Sequence, residues 1–135
     1  MLAALRRARA ADTVQLVPMR VLLVDDSEEF LASATRLLES QGMDVIGTAG
    51  SGAEALELVE QLAPDLVLVD IELGPEDGIA LTHTLRAQAP DPAIVLTSAY
   101  ERDDLAELIV NSSAAGFVPK RELGLDAIEA ILDAA

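Results

Sequence analysis

The sequence predicts an α/β fold, a doubly wound parallel sheet of five strands with helices on both faces. Five short aliphatic runs recur along the chain: Val21–Val24, Val45-Ile46, Leu66–Val69, Ala93–Leu96 and Gly116–Val118. They show no polar alternation, which is the pattern of strands covered on both faces. Each is followed by a stretch with helical spacing, at about 27–41, 52–62, 78–88, 102–112 and 122–134. Parallel neighbours require right-handed helical crossovers, so five strand-then-helix units give this architecture.

In chain order, residues 1–19 are rich in alanine and arginine and have helical propensity, but alone they are near the length at which helices are marginal. They are expected to form a flexible N-terminal extension, with one domain over 20–135, since the chain of 135 residues leaves little room for a second. In the first helix, Phe30, Leu31, Ala34, Leu37 and Leu38 share one face, Ser27 is placed to cap it and Gly42 to end it. Ser51 and Glu54 form a capping box before Ala55, Leu56 and Val59, and Pro64 stops that helix. The fourth helix has a short apolar face and ends in the poor formers Asn111, Ser112 and Ser113.

Composition narrows the chemistry. Hydrophobic residues make up 51% and charged residues 24%, enough for a core and unlike a disordered chain. Phe30, Tyr100 and Phe117 are the only aromatics, so stacking platforms for single-stranded nucleic acid are missing. The net charge is −15, of which the first twenty residues contribute +3 and the remainder −18. Such a body repels phosphate backbones and anionic lipid, so no direct nucleic-acid or membrane partner is expected. The absence of cysteine excludes disulfides, thiolate metal sites and cysteine nucleophiles. The longest uncharged stretch, the twelve residues Leu108–Pro119, is shorter than the roughly 18–20 needed to span a bilayer. Arg6, Arg7 and Arg9 interrupt any leader-like run, and a cytoplasmic location is expected.

Sheets of this kind place their chemistry at the carboxyl ends of the strands. Those ends carry Asp25-Asp26, Asp70, Thr97-Ser98 and Pro119-Lys120. Crowded carboxylates repel one another, and such a cluster commonly persists because a cation sits in it. An all-oxygen set without His or Cys favours Mg²⁺. A carboxylate beside a cation, a lysine and a hydroxyl suits phosphoryl transfer, in which positioning and charge neutralisation do most of the catalysis.

From Arg20 to about Ala134 the chain closely resembles the receiver domain of two-component response regulators. The resemblance rests on Val24-Asp25-Asp26, Asp70 with Gly78 eight residues later, Ser98-Ala99, and Lys120. Asp70 and Ser98 are 28 positions apart, and Ser98 and Lys120 are 22 apart. The resemblance implies a (βα)5 flavodoxin-like fold. It further implies that Asp70 is the phosphoacceptor for a phosphohistidine donor. Asp26, Asp70 and the backbone carbonyl of Glu72 would then hold Mg²⁺, with Asp25 holding a metal-bound water. Lys120 would pair with a phosphoryl oxygen. Ser98 would turn inward to the new phosphoryl group, and Phe117 would fill the space vacated. Glu72 and Tyr100, two residues after Asp70 and Ser98, occupy positions that tune phosphoryl lifetime in this family. Partners implied are a histidine kinase or histidine phosphotransfer protein, a downstream protein target, and a second copy through helix four, strand five and helix five.

Thr97 and Ser98 are adjacent hydroxyls that face opposite ways in a strand, so only one points at Asp70. The interval to Lys120 and the following Ala99 favour Ser98, with Thr97 as the alternative. Two positions depart from the commonest family pattern. Gly74, with Pro75 after it, stands where a proline is usual, which predicts a looser loop; Ser113-Ala114 replaces a Gly-Ala pair. His83 is read as a surface residue and the acidic stretch Glu101–Glu107 as a solvated face. One helix follows Lys120, so the expectation is a stand-alone receiver that is not itself an enzyme. The alternatives are a degenerate receiver acting only as an interaction module and a phosphatase of the haloacid-dehalogenase type. The latter chemistry wants Asp-x-Asp after the first strand, where this chain has Asp25-Asp26.

Overall fold

The computed structural model describes residues 4–10, 13–100 and 105–134. At its centre is a parallel five-stranded sheet: β3 (Arg20–Val24), β4 (Asp44–Ala49), β5 (Leu66–Asp70), β8 (Ala93–Ser98) and β9 (Gly116–Pro119), in the spatial order β4-β3-β5-β8-β9. The helices are α1 (Glu28–Ser40), α2 (Gly52–Leu62), α3 (Gly78–Gln88), α4 (Leu105–Val110) and α5 (Leu125–Ala134). The doubly wound α/β sheet expected from the aliphatic runs is the fold observed.

Strand parity divides the core. Val21, Leu23, Leu66, Leu68, Val95 and Val118 pack with Ala34 and Leu38 of α1 and Leu125 and Ile128 of α5. Leu22, Val24, Val67, Val69, Ile94 and Leu96 pack with α2, α3 and Leu105 of α4. Alternate residues of each strand thus bury themselves under helices on opposite faces, which is why the runs lack polar positions.

Capping residues act largely as the sequence predicts. Ser27 Oγ accepts the Phe30 N–H at 3.2 Å, and Ser51 Oγ accepts the Glu54 N–H at 3.3 Å. Glu54 reaches back to the Gly50 N–H at 2.7 Å, one residue beyond the usual capping-box donor. At the far end of α2, Ala63 takes a left-handed φ of 46°, and the Arg20 guanidinium donates to the Ala63 and Leu62 carbonyls at 2.8 and 2.7 Å. A cation there satisfies terminal carbonyls and complements the negative end of the helix.

Within the expected N-terminal extension over 1–19, β1 (Leu5–Ala10) and β2 (Thr13–Pro18) pair as an antiparallel ribbon. The β-branched Thr13, Val14 and Val17 favour extended backbone, and cross-strand pairing supplies hydrogen bonds that a short helix could not hold alone. The ribbon is tied to the body by the buried Ala4, whose carbonyl accepts the Met19 N–H at 2.6 Å, and by an Arg6–Asp65 ion pair at 2.7 Å. Among the described residues α4 covers Leu105–Val110, and it ends short of the predicted 112 because the Ser112 hydroxyl donates to the Ile109 carbonyl at 2.7 Å and accepts the Ala114 N–H at 3.2 Å, competing with further helix. The predicted positions 102–104 of that helix lie outside the described residues. The fifth helix, expected from 122, is preceded by a 3-10 turn over Lys120–Glu122 and begins at Leu125, whose N–H donates to Gln41 Oε1 at 2.7 Å.

A further change concerns the loop after Asp70. Expected to be loose, it is a tight hairpin of β6 (Glu72–Leu73) and β7 (Glu76–Asp77) joined by Gly74-Pro75. Gly74 has φ of +59°, which a proline, fixed near −65°, could not adopt, whereas Pro75 suits the second turn position. The departure from the family pattern therefore exchanges one turn geometry for another.

Candidate functional site

The order β4-β3-β5 means that the chain leaves β3 and β5 in opposite directions, opening a crevice between their carboxyl ends. Asp25 and Asp26 follow β3, Asp70 closes β5, and Lys120 follows β9. A pocket of about 280 Å³ there is lined by Asp26, Ser27, Asp70, Glu72, Gly74, Ala99, Tyr100 and Lys120.

Asp70 is buried and both its oxygens are engaged. Oδ1 accepts the Glu72 N–H at 3.1 Å, and Oδ2 lies 3.3 Å from Lys120 Nζ. Asp25, also buried, accepts the Ser27 N–H on Oδ1 at 2.8 Å and pairs through Oδ2 with Lys120 Nζ at 2.6 Å. Lys120 therefore bridges two carboxylates, a pairing not legible in the sequence. Its ammonium also stands 4.3 Å from the centre of the Phe30 ring, so a residue recognised only by helical spacing forms the wall behind it. Asp26 is exposed. Asp25, Asp26 and Asp70 each bring one oxygen within 4.8 Å of the others, a hard oxygen set that fits a small divalent cation.

Burial, followed by the charge of Asp25, pushes the Asp70 carboxyl up from 3.8 to about 7, against the opposing effect of Lys120 and the Glu72 N–H. Burial works against the charge of Lys120, but the hydrogen bond to Asp25 and the nearby Asp70 and Asp25 charges outweigh it and raise its pKa.

Glu72 faces this site by both backbone and side chain. In a two-residue hairpin the pair that closes the turn, Leu73–Glu76, exchanges hydrogen bonds, and the next pair, Glu72–Asp77, does not. The Glu72 N–H and C=O therefore turn away from β7, and the N–H meets Asp70. The Glu72 side chain accepts the Ser98 hydroxyl at 2.5 Å. Strand parity separates the two candidate hydroxyls: Ser98 continues the row of Ile94 and Leu96 under α3 and α4, and Thr97 continues that of Val95 under α1 and α5. Phe117, partly buried, packs in the same layer as Leu96 and Leu105. His83 is exposed, with Nδ1 3.1 Å from Ser113 Oγ, and takes no part in the pocket.

Gly78 explains the spacing that follows Asp70. Its N–H donates to the Ile71 carbonyl at 2.8 Å, and a Cβ at this position would lie 2.0 Å from the Asp70 carbonyl oxygen. Only glycine lets α3 start this close to the strand that presents Asp70. Among the described residues no helix is long and apolar enough to cross a membrane.

Comparison with known proteins agrees with this geometry. The chain is 33% identical over 120 residues to the transcriptional regulatory protein PdtaR of Mycobacterium tuberculosis, an alignment covering 89% of this chain and 58% of that protein. It thus spans little more than half the length of that relative. A two-component response regulator of the LuxR family from Aurantimonas sp. SI85-9A1 superposes with a TM-score of 0.76 at 30% identity, covering 85% of each chain. A response regulator protein from Burkholderia pseudomallei, solved with a phosphorylated aspartic acid, calcium ion and citrate, superposes with a TM-score of 0.70 at 27% identity, covering 87% of this chain and 73% of that one. A family model for the response regulator receiver domain matches residues 21–133, the span that contains every strand end of the pocket, and the chain belongs to that family of two-component signalling domains.

Proposed function

We propose that this receiver domain accepts a phosphoryl group on Asp70 and uses it to change a protein-binding surface. The observation that carries the reading is the Lys120 ammonium, 2.6 Å from Asp25 and 3.3 Å from Asp70 in the lining of an acidic pocket. In the transfer an Asp70 carboxylate oxygen forms the new bond to phosphorus as the bond from phosphorus to the donor imidazole nitrogen breaks. The leaving nitrogen keeps the electron pair. Glu72 N–H and Lys120 hold the two Asp70 oxygens, so the nucleophile is oriented before the donor arrives. Lys120 then offers a positive charge to the phosphoryl oxygens. Asp26, Asp70 and the Glu72 carbonyl would hold Mg²⁺, with Asp25 on a metal-bound water; the ion supplies charge neutralisation for the incoming phosphoryl group. The phosphorylated aspartic acid of the Burkholderia relative supports the assignment.

The chain acts here as a phosphoacceptor and not as a turnover enzyme. Its donors would be a histidine kinase or a histidine phosphotransfer protein in the cytoplasm. Its output would be a downstream protein, or a second copy, docking on α4, β9 and α5. Treatment with acetyl phosphate and Mg²⁺ should add one phosphoryl mass to the intact protein; no mass gain, under conditions where a known receiver gains it, would overturn the reading.

Asp26→Ala is expected to weaken Mg²⁺ affinity by about tenfold or more, since it removes one of the two carboxylates that would hold the ion directly. The melting temperature of the cation-free protein should stay unchanged or rise, because a repulsive carboxylate is gone. Titration calorimetry with Mg²⁺ and thermal melts in EDTA check both parts.

Ser98→Ala should still take phosphate on Asp70. A charge-assisted hydrogen bond from Ser98 to the phosphoryl group would contribute about 1.5–3 kcal/mol, and what exceeds the bond Ser98 gives up to Glu72 shifts the two-state equilibrium, by at most about two decades. Without it, most of the phosphorylation-dependent change in amide exchange over 99–113 should vanish. The same change in the variant as in the wild type would transfer the coupling role to Thr97.

A further inference from the structure

We propose that Glu72 is a positioning residue that holds Ser98 in its unphosphorylated orientation and must release it before Ser98 can reach a phosphoryl group on Asp70. This rests on the phosphoacceptor reading above and adds an internal competitor to it. The Ser98 hydroxyl has one proton. It is directed to Glu72 Oε1 at 2.5 Å, within the range of a charge-assisted O–H···O⁻ bond, while the Ser98 oxygen accepts the Tyr100 N–H at 3.0 Å. The Tyr100 carbonyl, the other acceptor within reach, is farther at 3.1 Å. A proton given to Glu72 is not available to a phosphoryl oxygen.

The holding group is itself held. The Glu72 N–H is bonded to Asp70 Oδ1, and the opposite strand of its hairpin is anchored by Glu76 Oε2, which accepts the Gly52 N–H at 2.9 Å. With Gly74-Pro75 closing the turn between them, the backbone of Glu72 is restrained at both ends, so release falls to the side chain. Glu72 also lines the same pocket as Asp70 and Lys120. A phosphoryl dianion on Asp70 would both offer Ser98 a new acceptor and repel the carboxylate that occupies it. One event thus supplies the attraction and removes the competitor, which sharpens the switch and keeps Ser98 from wandering when no phosphate is present.

The test is made on the full chain without phosphodonor, by NMR of the wild type, Glu72→Gln and Glu72→Ala. In Glu72→Ala the Tyr100 amide should exchange about tenfold faster, and the Ser98 ¹³Cβ shift should move from its wild-type value. Glu72→Gln, whose side-chain carbonyl still accepts, should stay close to the wild type on both. Wild-type behaviour of Glu72→Ala, or equal perturbation of both variants, would overturn the proposal. The double variant Ser98→Ala/Glu72→Ala guards against a general loosening: its Tyr100 amide should exchange as in Ser98→Ala alone, and a further increase would mean that Glu72 acts by another route. Because these readings need no phosphate, their failure leaves the assignment of Asp70 standing. Failure of the wild type to gain a phosphoryl mass would leave the hold on Ser98 to be judged by itself.

Discussion

Asp70→Asn is expected to abolish the phosphoryl mass gain while making the cation-free protein more stable at pH 8. The loss follows from removal of the nucleophilic carboxylate oxygen that Lys120 and the Glu72 N–H orient. The gain follows from linkage. Folding raises the Asp70 pKa from 3.8 to about 7, chiefly by burial and next by the Asp25 charge. Between those values the folded state binds a proton that the unfolded state has released, so stability falls as pH rises through the window and the full cost is present above it. The wild type without Mg²⁺ should therefore melt lower at pH 8 than at pH 5. Asparagine keeps the acceptor for the Glu72 N–H and removes the charge. The variant should lose this slope and gain about 1–3 kcal/mol at pH 8. Intact mass and melts in EDTA at the two pH values measure both effects; a full mass gain in the variant, or an unchanged slope, would contradict the assignment.

Gly78→Ala should cost about 3 kcal/mol or more, lowering the melting temperature by about 10 °C. An added Cβ would meet three backbone atoms, the Asp70 oxygen at 2.0 Å, the Asp70 carbonyl carbon at 2.8 Å and Ile71 Cα at 2.9 Å. Backbone cannot rotate aside as a side chain can, so α3 must move off the end of β5, breaking the Gly78 N–H to Ile71 bond. The same movement shifts Asp70, so phosphoryl incorporation should slow even in the folded fraction. Circular dichroism melts and the rate of mass gain would show this, and wild-type values for both would refute it.

The reach of the sequence is clearest residue by residue. The aliphatic runs located all five strands of the main sheet, and α2 and α3 have the predicted bounds, because their limits are set locally by Ser51, Asp77 and the chain before Pro64. Asp25, Asp26, Asp70 and Lys120 were recognisable as neighbours because a parallel sheet puts all its carboxyl ends on one rim. The ribbon over 5–18 escaped, since alanine and arginine favour helix only where nothing else pairs the backbone. The 72–77 hairpin escaped as well, since each of its strands is two residues long, too short for any periodicity to show.

What depends on near neighbours and on period can be read from the residues alone: the chain order of strands and helices, the two buried layers of each strand, and which carboxylates, hydroxyls and lysine stand at the rim. The pairings across the rim arise only from the packed sheet. Lys120 bridges Asp25 and Asp70 over 95 and 50 positions of chain, Phe30 backs its ammonium, and Glu72 accepts a hydrogen bond from the Ser98 hydroxyl across 26 positions. Such contacts leave no local trace, because they depend on distances of a few ångströms between strand ends that only the twist and packing of the finished sheet establish.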